Sequence, residues 1–115
     1  MAREERIFEI QADLIAMFAH PRRLMILDLL ADGEKSVGDI AEELDVPIQN
    51  VSQHLRAMKD RGVVASRKAG QTVYYRITNP KFSQCCQLAR SAIIEELAKT
   101  SDLAAQEPEP AATSE

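Results

Sequence analysis

Between Pro47 and Asp60 the chain concentrates hydrogen-bonding side chains: Gln49, Asn50, Ser52, Gln53, His54 and Arg56. Amides and a guanidinium at this density suit the reading of flat edges that present a donor beside an acceptor. Gln and Asn can each place two hydrogen bonds on an adenine edge, and Arg can do the same on guanine. Ser52 and His54 are groups for a phosphate or a base edge. His54 adjoins Leu55, so a histidine packed at the margin of an apolar stripe is its other reading. A second polar group follows, Arg67, Lys68 and Gln71, of the kind that neutralises phosphates.

The charge pattern agrees. The 115 residues carry a net charge of −4, which argues against a uniformly basic polyanion binder. From Asp28 to Asp45, however, seven acids face one base, a net −6, whereas from Val46 to Thr78 six bases face one acid, a net +5. Exposed charges are screened beyond about 8–10 Å, so the local block decides what the surface attracts. The basic third is the candidate face for a polyanion, and an ordinary solvated surface is the alternative on charge alone.

Other chemistries find little support. Four glycines form no phosphate-cradling fingerprint, no carboxylate pair sits in a recognisable constellation, and no histidine neighbours a nucleophile, so no enzyme is expected. No stretch reaches the roughly 18 apolar residues of a membrane span. The charged start Met-Ala-Arg-Glu-Glu-Arg does not read as a secretory signal, and two adjacent cysteines make no disulfide framework, so a cytoplasmic protein is expected. His20 and His54 have no ligand partner at metal-binding spacing, which argues against a Cys/His zinc site. Cys85 and Cys86 admit two readings. As thiolates they would take trivalent arsenic or react with an oxidant or a sulfur species. As small apolar side chains they would fill a helix stripe, where the pKa rises and reactivity falls. Neighbouring helix positions diverge by about 100°, so their sulfurs are not expected to face each other.

The elements that must position these groups follow from periodicity. Glu4–Phe18 reads as a helix with Ile7, Ile10 and Leu14 on one face. Pro21–Ala31 is a second, with Leu24, Ile26, Leu27, Leu29 and Leu30 buried, stopped by Asp32-Gly33. Ser36 caps a short third helix, Val37–Leu44, with Asp39 in the position of a capping box. After Asp45-Val46-Pro47 a fourth helix runs to about Asp60, burying Val51, Leu55 and Met58, and Gly62 follows as a left-handed cap. Val63–Lys68 and Thr72–Thr78 read as strands joined by Ala69-Gly70-Gln71, with Tyr74 or Tyr75 packed beneath the tip. Asn79-Pro80 opens the last helix, with the stripe Phe82, Cys85, Cys86, Ala89, Ala92, Ile93 and Leu97. Residues 101–115, rich in Pro, Glu and Ala, read as a disordered acidic tail after a domain over 1–100.

Two short helices across a three-residue turn, then a β-hairpin, describe a winged helix-turn-helix: mainly α, about five helices and a two-stranded wing. Its second short helix would enter a major groove while the hairpin lies along the backbone or minor groove. At this level the sequence resembles the ArsR/SmtB family of bacterial transcriptional repressors over roughly residues 8–98. The stretch His20-Pro21-Arg22-Arg23-Leu24-Met25-Ile26-Leu27-Asp28-Leu29-Leu30 resembles its second helix. Residues Val51 to Val64 resemble its recognition helix and exit, and Gly70 to Ile77 its wing.

The resemblance implies a homodimer joined through the first and last helices, with Ile7, Ile10, Leu14, Phe82, Cys86, Ala89, Ile93 and Leu97 as interface residues. It implies double-stranded operator DNA with an imperfect palindrome as partner, and release by an inducer. Of the family's metal sites, the cysteines of the third helix and the Asp/His set of the last helix are missing here, so no metal or other cofactor is required. Thiol or arsenical chemistry at Cys85 and Cys86 remains as a route for an inducer. A winged helix that binds an acidic protein partner through the same basic segment is the competing reading.

Overall fold

A computed structural model describes residues 3–100. The calls on the tail from 101 onward lie outside the described residues. Eight elements follow in order: α1 (Arg3–Phe18), α2 (Pro21–Leu30), β1 (Lys35–Ser36), α3 (Val37–Leu44), α4 (Ile48–Asp60), β2 (Val64–Ala69), β3 (Thr72–Ile77) and α5 (Lys81–Ala98). The chain divides into two units after Ser83, inside α5.

The first unit holds the helix-turn-helix and the sheet. Its core draws Ile26, Leu27 and Leu30 from α2, Ile40 and Ala41 from α3, and Val51, Leu55 and Met58 from α4. Val63 and Val64 close it from the strand side, and Met17 and Phe18 from the end of α1. Burial of this apolar surface supplies most of the driving force for the trihelical arrangement. Leu24, expected inside, is 38% exposed. It precedes Ile26 and Leu27 by two and three positions, and the ~100° step per residue carries it off the face those two share.

Local chemistry sets the boundaries. Asn79 Oδ1 accepts from the Lys81 amide (3.0 Å) and Ser36 Oγ from the Asp39 amide (3.0 Å), each satisfying an orphan donor of a helix start. The α3–α4 turn is made by Asp45 in the left-handed region (φ 56°), where an Asp is tolerated. The Val46 amide bonds back to the Ala41 carbonyl (3.1 Å).

One expectation about the wing needs correction. Ala69 pairs directly with Thr72, so the connection is the two-residue Gly70-Gln71 rather than three residues. Gly70 has φ 63°, and positive φ at the first central position alone marks a type II′ turn, whose twist matches the strands. The sheet also has three strands, in the order β1-β3-β2, all antiparallel. β1 pairs Lys35 with Tyr75 and Ser36 with Tyr74. At two residues it is too short for any period-2 pattern to show. At the other end of the hairpin the Thr78 amide donates to the Val63 carbonyl (2.9 Å), while its hydroxyl bridges the Gly62 and Val63 carbonyls.

The second unit is described over residues 84–100, the remainder of α5. Leu88, Ile93 and Leu97 are exposed there, as are Ile7, Phe8, Ile10 and Ile15 of α1 in the first unit. None of the described helices is long and apolar enough to cross a membrane.

Candidate nucleic-acid interface

The two faces of α4 are set by its own spacing. Val51, Leu55 and Met58 recur at steps of four and three and are fully buried. Gln49, Gln53 and Arg56 recur at the same steps, two residues earlier, and all three are exposed. A two-residue offset is a rotation of about 200°, so this polar line is directed away from the core. Ser52 lies beside it, half-buried.

Asn50 and His54 are also half-buried, and α2 holds both. Arg22 Nη1 donates to Asn50 Oδ1 at 2.6 Å. Arg23 Nε donates to His54 Nδ1 at 3.1 Å, while its Nη1 reaches the Met17 carbonyl at 3.0 Å. Two bridges one turn apart thus fix the rotation of α4 against α2. With its carbonyl oxygen held by Arg22, Asn50 turns chiefly its NH2 group outward. Arg22 and Arg23, which hold these α4 side chains, are residues that sequence reasoning passed over. The only signal was a pair of cations in the first turn of a largely apolar helix, where the macrodipole disfavours positive charge.

The two histidines, which sequence spacing did not pair, meet in space. The His20 and His54 rings lie edge-to-face, 4.4 Å between centroids. Thirty-four positions separate them in the chain, so spacing alone could not show it. His20 caps α2, its Nδ1 accepting from the Arg22 amide at 3.3 Å. With both Nδ1 atoms accepting, each neutral ring carries its proton on Nε2. Burial holds the His54 pKa below its ordinary value, and His20, Arg23 and Arg22 add to the effect by repulsion. Among the described residues, no group of three or more His, Cys, Asp or Glu is placed to hold a metal ion.

In the wing, Lys68 and Gln71 are exposed at and near the turn. Arg67 is engaged: Nε and Nη2 donate to the two carboxylate oxygens of Glu34, each at 2.8 Å, and its guanidinium carbon stands 4.5 Å above the centre of the Tyr74 ring. The hydrogen bonds from Arg67 hold the Glu34 carboxyl below its usual range, and the same bonds raise the Arg67 pKa. Lys59, near the end of α4, donates to Ser66 Oγ of β2 at 2.8 Å, tying α4 to the wing.

Of the expected interface residues, Ile7, Ile10, Ala89, Ile93 and Leu97 are exposed, and Leu14, Phe82 and Cys86 are half-buried. Phe82 meets Phe18 edge-to-face at 6.1 Å. Cys85 is exposed and Cys86 half-buried. Burial pushes the Cys86 thiol up to about 11, aided by the neighbouring Cys85, with which it shares a hydrogen bond.

A family model described as a helix-turn-helix domain matches residues 18–67. The biofilm growth-associated repressor of Agrobacterium fabrum is 38% identical over 80 residues, 70% of this chain and 68% of its own length. The transcriptional activator HlyU of Vibrio cholerae is 36% identical over 75 residues, covering 65% of this chain and 69% of the relative. Among solved structures, the homodimeric winged helix-turn-helix DNA-binding domain of Mb0332 from Mycobacterium bovis, a candidate ArsR-family regulator, superposes with a TM-score of 0.74. It is 33% identical, over 84% of this chain and 90% of that one. Identity at this level over most of both chains marks common descent as well as a shared fold, and the chain belongs to the ArsR/SmtB family of winged helix-turn-helix transcriptional regulators.

Proposed function

We propose that the protein is a homodimeric repressor that reads an imperfect palindrome in promoter DNA. In this reading α4 lies in the major groove with Gln49, Gln53 and Arg56 on base edges and Ser52 beside them. Asn50 and His54 stand at the rim, and the wing sets Arg67, Lys68 and Gln71 along the backbone. The observation that carries it is the exposed line of Gln49, Gln53 and Arg56 on the side of α4 opposite its buried stripe. Two such helices related by a two-fold would meet successive major grooves about 34–36 Å apart. The apolar residues left open on α1 and α5 support the pairing, as does the homodimeric relative. Repression, rather than activation, follows the sense of the Agrobacterium relative.

Release belongs to the same reading, with the thiols of α5 as the point of attack. A soft electrophile such as trivalent arsenic meets Cys85 first, because it is exposed, whereas Cys86 stays protonated near neutral pH. Two chains bring four thiols. The variant with Cys85→Ser and Cys86→Ser keeps DNA affinity and loses its response to arsenite.

Titration of the protein with a duplex from its own upstream region, at several salt concentrations, tests the whole. Each phosphate neutralised contributes about −0.9 to the slope of log K against log salt. A steep slope and a footprint with two half-sites are expected. No binding at low salt leaves the acidic-partner reading in its place.

A further inference from the structure

Glu34 stands out because its charge is wrong for its place. It lies in the connection between α2 and β1, beside a wing whose task, in the reading above, is to approach phosphates. The sheet explains how it reaches the wing. Arg67 of β2 and Ser36 of β1 both pair with Tyr74 of β3, so the three positions form one row across the sheet. Glu34 precedes Ser36 by two residues, which returns it to the same face. The Arg67 side chain therefore crosses the central strand, lies over the Tyr74 ring, and meets the Glu34 carboxylate side-on through Nε and Nη2. Only two of its five N–H groups are used by that pair. The side chain is still 53% exposed, so its outer edge faces solvent.

We propose that Glu34 is a positioning residue for DNA binding: it holds the Arg67 guanidinium over the Tyr74 ring so that the outer N–H edge meets a backbone phosphate already ordered. The inference rests on the DNA-binding reading of the wing. A free arginine would lose its rotamer freedom during binding, whereas Arg67 has lost it in the free protein. The geometry is the side-on pairing that fixes a guanidinium in plane as well as in place. Its consequence runs against simple electrostatics. Removing an acid beside a phosphate should tighten binding by charge alone, yet here removing Glu34 weakens it.

The test is a double-mutant cycle of Glu34→Ala and Arg67→Ala, with Glu34→Gln as the isosteric control, measured by fluorescence anisotropy on the upstream duplex. Circular dichroism of each variant checks that the fold is kept. At about 0.3 M salt, where repulsion between Glu34 and phosphate is largely screened, Glu34→Ala is expected to weaken binding about two- to twelvefold per half-site, the range set by one immobilised side chain in each wing. Arg67→Ala weakens binding and lowers the salt slope by about 0.9 per half-site, roughly 1.8 for the dimer on its two half-sites. In the Arg67→Ala background, Glu34→Ala causes no further loss, a non-additivity that a general structural role would not produce. Equal or tighter binding by Glu34→Ala and Glu34→Gln at every salt overturns the proposal and makes Glu34 a competitor of the phosphates. A loss that persists without Arg67 overturns it as well. A wild-type protein that binds no duplex refutes the DNA reading first, and this inference with it.

Discussion

Arg23 is the point at which three helices can be loosened by one substitution. Its side chain leaves α2, donates through Nε to His54 on α4 and through Nη1 to the carbonyl of Met17 near the end of α1. Both bonds are partly buried, so water replaces them incompletely when they are lost. A net hydrogen bond contributes about 0.5–1.5 kcal/mol, and more when the donor is charged. Partial access to water keeps the estimate near the middle of that range, about 1 kcal/mol for each bond. Arg23→Ala should therefore cost about 2 kcal/mol, or roughly 8–16 °C in Tm for a domain near 100 residues. Urea denaturation at one fixed protein concentration measures it, since association shifts apparent stability by mass action. A second readout is independent of the first. Burial is the largest cause of the low His54 pKa, followed by His20 and then Arg23. Removing the Arg23 charge should move the His54 titration, followed by NMR, toward its ordinary value. A stability loss under about 0.5 kcal/mol with an unmoved His54 titration would refute the claim that Arg23 clamps α4.

Arg56→Ala is expected to weaken operator binding by about 1–3 kcal/mol and to relax base preference at one position per half-site. Unchanged affinity in a gel-shift or anisotropy titration removes Arg56 from the reading face. The His54 pKa lies below 6.5 in the folded chain. Between that lowered value and 6.5 the unfolded chain binds more protons, so stability is full above about pH 6.5 and declines as pH falls through the folded value. Urea midpoints between pH 5 and 7.5 should show a flatter profile for His54→Gln, and parallel profiles would dismiss the histidine as the source. Ile10 is 51% exposed in the single chain. Ile10→Glu should thus leave the fold of one chain intact but convert the dimer to monomer in sedimentation, and a variant that sediments as a dimer places the interface elsewhere.

Much of this fold was legible because its signals are local. Ser36 and Asn79 cap the helices they precede, and Gly62 takes the left-handed conformation its place demands. The buried stripe of α4 fell on Val51, Leu55 and Met58 as spacing required, and that stripe in turn fixed which polar residues face outward. What escaped is non-local or brief. The Arg22–Asn50 and Arg23–His54 bridges span 28 and 31 positions. The partner of Arg67 lies 33 positions earlier, in a segment whose acids read only as a block of negative charge. A sequence shows what a residue can bond, and only the packing of α2 against α4 shows which bond it makes.

Ser36 belongs to two structures at once, ending β1 and capping α3. The sheet therefore runs directly into α3 with no intervening residue, and an exposed hydrogen bond from Lys59 to Ser66 links α4 to β2 on the other side. If α4 and the hairpin grip a duplex as proposed, they would act together as a two-pronged gauge. A nucleic acid whose furrows did not match their spacing would then have to flex, and the energy of flexing, rather than any direct touch, would discriminate at the base pairs lying between the prongs.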